Sequence, residues 1–269
     1  MCVITLYRFP LWQIVRAARW LLAILITTST LFGQRGFAPA LTRPEVVTVE
    51  ELRHIVPEKA QKEMAKAEAA KAKGRTDEAI AHLKRAIAID SGFIAARNNL
   101  AIHYLATGLL DSAVAELEDA LKLYPQHAVL LSNLAVGYLM NEKFDAAERA
   151  ARLTMKLDRT GWRAPLMLGV ALVKQRKFTE EALQSLDRAR DYHPWAHLFA
   201  GRVHLERGHL ERAKNAIQTY LSSGDQEHSE IANSWLEVIS EREQKSALAY
   251  FGDSVNLGRP EGEARGPVK

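Results

Sequence analysis

Four histidines, His193, His197, His204 and His209, crowd one stretch of the chain and offer imidazole nitrogens for a metal. A zinc-type site needs its ligands to converge on one ion. Pro194 pushes His193 out of helical conformation, so His193 and His197 do not form a one-face pair. His197 and His204 are seven residues apart, about 10 Å along a helix, too far to share an ion. Glu180 and Glu181 sit at a turn beside lysines and read as solvated surface. The single cysteine, Cys2, leaves the rest of the chain without a thiol for a disulfide, a zinc site or a nucleophile. The chain carries no Gly-rich phosphate loop, HExxH or G-x-S-x-G. No metal, cofactor or enzymatic activity is therefore expected. What remains is amide chemistry. Asn99 and Asn133 are 34 residues apart, each directly before Leu-Ala. An amide both donates and accepts, so it pairs with an extended peptide backbone without reading its side chains.

The elements that must hold those amides are helices. Ile94 to Pro125 contains two amphipathic segments that meet at Gly108 and stop at Pro125. Leu100, Tyr104 and Ala113 recur 34 residues later as Leu134, Tyr138 and Ala147. Ala79, Leu83, Ala86 and Ser91 precede Ala113, Leu117, Ala120 and Pro125 by the same interval. The spacing Arg97-x2-Leu100-Ala101-x2-Tyr104, then Ala113-x3-Leu117-x2-Ala120-x4-Pro125, resembles the tetratricopeptide repeat, a 34-residue helix–turn–helix unit. Alanines at 79, 101, 113, 120, 135, 147, 182 and 213 allow helices to approach closely. The resemblance implies an all-α fold, a right-handed α-solenoid of about five helix pairs with a concave groove. The pairs fall at about 57–93, 94–127, 128–161, 162–196 and 197–225, with one residue inserted near Phe178–Glu181. Residues 226–245 read as a helix capping the open end, and 246–269, rich in Gly, Pro and charge, as a disordered tail.

The opening of the chain has a different character. Residues 1–40 contain four arginines and no acidic residue, followed within them by the uncharged run Trp20–Phe32. Thirteen residues is signal-peptide length, whereas a spanning helix wants about 20. Length favours cleavage, with an uncleaved membrane anchor as the alternative, and either implies export to a periplasmic or secreted setting. Residues 41–56 read as a linker with a short helix begun by the capping-box pattern Thr48-Val-Glu-Glu51. Of the 36 basic residues, 32 lie beyond the leader, matched by 32 acidic ones. A neutral body does not indicate a nucleic-acid partner.

In the tetratricopeptide family the first helix of each pair lines the groove. The resemblance therefore implies a peptide- or protein-binding surface at Asn98, Asn99, Ile102, Leu105, Ser132, Asn133, Val136, Met140, Val170, Trp195, Phe199 and Arg202. Asn99 and Asn133 look like the asparagine ladder of some relatives, and the apolar members imply an exposed wall that a partner covers. The expected function is a non-enzymatic interaction scaffold of the cell envelope. The alternative is a structural assembly subunit of an envelope complex, or a self-associating oligomer.

Overall fold

The computed structural model describes residues 54–225 and 228–256. The leader, the linker through residue 53 and the tail beyond 256 lie outside the described residues. Residues 54–57 are irregular, so the described end of the expected linker helix is not helical. Eleven helices follow among the described residues: α1 (Glu58–Ala72), α2 (Thr76–Ile89), α3 (Ile94–Thr107), α4 (Leu110–Leu123), α5 (Ala128–Met140), α6 (Phe144–Leu157), α7 (Arg163–Lys174), α8 (Glu180–Asp187), α9 (Trp195–Glu206), α10 (Leu210–Ser222) and α11 (Ser229–Asn256). The fold is an all-α solenoid of paired helices. It divides into two units, one ending at Tyr192 and the other beginning at His193.

In the first unit each odd-numbered helix packs against its even-numbered successor, and each pair against the next. The recurring alanines explain how. Ala79, Ala101, Ala113, Ala135, Ala147 and Ala182 have no exposed surface, so the helix backbones meet where a larger side chain would hold them apart. At Gly169 even a methyl is too much: a Cβ there would stand 2.5 Å from Leu186 Cγ. Buried leucines from successive helices (Leu83, Leu100, Leu117, Leu130, Leu186) fill the space between. Helix α1 buries only Ala60, Ala67 and Ala70, the thin core of a pair with one face open to water.

The turn between paired helices keeps one geometry. Gly74 and Gly108 adopt φ of +70° and +77° there. After α5 and α7 the same place is held by Glu142 and Arg176, at φ 55° and 59°. The Leu109 amide donates to Tyr104, Lys143 to Tyr138 and Lys177 to Leu172, so the turn closes alike with or without glycine. A side chain in that conformation costs about 1 kcal/mol. Arg176→Gly is therefore expected to stabilise the chain by up to about 1 kcal/mol, read as a rise in the urea midpoint.

Arg176 stays in the 34-residue register, and the extra residue of the fourth pair falls in the connection before α8, where Thr179 caps the helix by accepting from Ala182 N–H. The final helix runs to Asn256 rather than Lys245. Ser-Ala-Leu-Ala after Lys245 favours helix, and the Gly258–Pro260 break comes only later. The second unit holds α9, α10 and α11. The fifth pair starts at Trp195, not at 197, because Pro194 presets the first turn.

Candidate functional site

The first helices of the first unit meet one another as well as their partners. Polar side chains join them. Asn99 on α3 donates to Glu68 Oε1 on α1 at 2.8 Å, and Asn133 on α5 donates to Asn98 Oδ1 on α3 at 2.7 Å. Both expected ladder amides therefore spend a donor inside the chain. Asn133 is 3% exposed, so it braces α5 on α3 rather than standing ready for a peptide. Asn99 is half-buried.

The apolar wall is corrected in the same way. Leu105, Val136 and Val170 are buried in the first unit, because adjacent first helices close over them. Asn98, Ile102, Ser132 and Met140 keep partial exposure. They form the accessible part of the first-helix face. In the second unit Trp195 and Phe199 are buried, their rings 6.3 Å apart, and Trp195 lies 4.9 Å from His228. They are core, not wall. Arg202 ion-pairs with Glu206 and lies 5.2 Å over the Trp235 ring.

Charged side chains stiffen both ends of the first unit. Lys66, His82 and Arg85 all bond to Glu63 and hold its carboxyl at about 2. Burial works against ionisation of Glu148, yet bonds from Lys177, Arg152 and Gln175 outweigh it and hold that group at about 2 as well. Since Glu148 is on α6 and Gln175 and Lys177 follow α7, the cluster ties successive pairs together. Arg97 and Glu116, 2.9 Å apart, tie α3 to α4.

One feature was missed from sequence. Ile89, Leu123, Leu157 and Tyr192 are between 38% and 65% exposed, one near the end of each second helix of the first unit. Their spacings of 34, 34 and 35 residues were visible in the chain. Among the described residues no group of three or more His, Cys, Asp or Glu side chains is placed to hold a metal, and no helix is long and apolar enough to cross a membrane.

Residues 70–135 and 166–227 each match the family described as Tetratricopeptide repeat. No curated protein matches the chain in sequence. Among solved structures, the fold is similar to MamA from Desulfovibrio magneticus RS-1, residues 41 to the end, with 18% identity and a TM-score of 0.55 over 65% of this chain and 98% of that one. It is also similar to a tetratricopeptide repeat protein from Parabacteroides merdae, with 16% identity and a TM-score of 0.58 over 76% of this chain and 82% of that one. At such identities the likeness concerns the fold.

Proposed function

Because the chain belongs to the tetratricopeptide repeat family, whose repeats serve protein interaction, we propose that it is a non-enzymatic scaffold that takes a protein or extended peptide on the first-helix face of its first unit. The observation that carries this reading is the surface left between the braced amides: Ile102 and Met140 stay partly exposed beside Asn98 and Ser132, apolar anchors next to amide and hydroxyl groups. Buried anchors with polar neighbours are the composition of an interface centre. The acid-free leader with its short apolar run supports an exported, periplasmic or secreted scaffold, held to the membrane only if residues 1–40 stay attached.

Charging that surface tests the reading. Ile102→Asp with Met140→Asp is expected to weaken recovery of a bound partner from cells at least about tenfold, the cost of roughly 1.4 kcal/mol at an anchor. Unchanged recovery from a folded double variant counts against it.

The row Ile89, Leu123, Leu157 and Tyr192 supports a second reading, a subunit of an envelope assembly or of a homo-oligomer, since regularly spaced exposed apolar groups invite burial. That reading expects a concentration-dependent oligomer in sedimentation. A monomer at all concentrations speaks against self-association.

A further inference from the structure

Helix α8 is eight residues long, against fourteen in α2, α4 and α6. Between α6 and this short helix lies a pocket of about 330 Å³. Arg152 and Lys156 line it from α6, Glu181 from α8 and Arg188 from just beyond α8, with Met155 and Leu168 as apolar wall. The only carboxylate in that lining, Glu181, is taken up by Arg152, Nη2 to Oε2 at 2.9 Å. Arg188 donates to the Arg159 carbonyl at 2.7 Å, and neither it nor Lys156 meets a carboxylate among the described residues. One repeat earlier the matching places are Glu118, Lys122 and Leu153, and Lys122 is paired with Asp119. The excess of positive charge belongs to the α6–α8 cleft.

We propose that this cleft is a second docking site, distinct from the first-helix face, for an acidic peptide segment of a partner protein. A carboxylate side chain enters between Lys156 and Arg188, and a neighbouring apolar side chain rests on Met155 and Leu168. Guanidinium and ammonium groups without counter-charges supply complementarity. The apolar wall decides the class of occupant. It would leave a small, multiply charged anion unsatisfied on that side, whereas an acidic segment with apolar neighbours suits both walls. The site goes beyond the first-helix reading and does not depend on it.

The test is a fluorescence titration of the purified full chain with a labelled short peptide of alternating Glu and Leu. A Gln-for-Glu peptide and inorganic phosphate serve as comparisons. The expected result is saturable binding of the Glu peptide alone, weakened about tenfold or more by Lys156→Glu with Arg188→Glu. Ile102→Asp with Met140→Asp leaves it unchanged, which separates this site from the first-helix face. Lys156→Glu alone, at an exposed residue with no partner to lose, weakens binding in the same direction even if the double variant folds poorly. Absence of saturable binding, equal binding of the Gln peptide, indifference to both charge reversals, or displacement by equimolar phosphate overturns the proposal. The last of these assigns the cleft to small anions instead.

Discussion

Replacing Leu117 with alanine lowers the stability of the chain by about 2–5 kcal/mol, the range for a large-to-small change at a site that cannot collapse. Leu117 has no exposed surface and sits between Ala113 and Ala120 on the buried stripe of α4. Those alanines already bring the neighbouring backbones as close as they go, so nothing can move in to fill the space. Helix α4 packs on α3 and α5, the two helices that carry Asn98, Ile102, Ser132 and Met140. The loss therefore loosens the proposed binding face as well as the core. Leu123→Ala, six residues on and 52% exposed, is expected to cost within about 0.5 kcal/mol. Urea denaturation of both variants reads the contrast. Equal midpoints contradict the assignment of Leu117 to the inter-helix core.

Acid below the ordinary histidine range weakens the second unit through His193, as it weakens the first through His103, which burial also lowers. Burial lowers His193 from 6.5 to about 4, against the opposing charge of Asp225, and its Nδ1 accepts the Trp195 backbone N–H at 3.3 Å. The sign follows from which state takes the proton. Between pH 6.5 and 4 the unfolded chain protonates this histidine and the folded unit does not. Stability is thus complete above pH 6.5 and falls as the pH drops toward 4, by about 3 kcal/mol at most. Glu63 and Glu148, both held at about 2, contribute the other window. Their stabilisation is whole above pH 4.5 and is lost as the pH falls toward 2. Unfolding followed against pH, with His193→Asn as comparison, separates the two. The variant is expected to lose the His193 share of the upper slope, and to keep the His103 share and the lower slope. An unaltered slope between pH 6.5 and 4.5 rules out His193 as its source.

The helix pairs were legible because their packing is periodic. A stack that reuses one contact geometry needs small residues at the same places in every repeat, and Ala79, Ala113 and Ala147 report that need directly. The accessible surface was less legible. Leu105 and Ile102 both fall on the groove side of the resemblance, yet only Ile102 stays partly exposed. How far neighbouring first helices close depends on side chains from two repeats together, which a one-dimensional register does not carry. The same holds for Asn133: its position marked it for a peptide, and its partner Asn98, one helix away, claimed it first. The shortness of α8 was hidden because Leu186 and Ala189 keep the repeat pattern across the point where the helix ends.

A photoreactive residue at Met140, on the first-helix face, tests the central claim most directly when crosslinked in cells and compared with the same probe at Ala115, an exposed place on α4. One discrete protein adduct is expected at Met140, lost when Ile102→Asp is introduced alongside, and none of that species at Ala115. The same adduct at both positions, or none at Met140 while Ala115 reacts, contradicts a partner bound on the first-helix face.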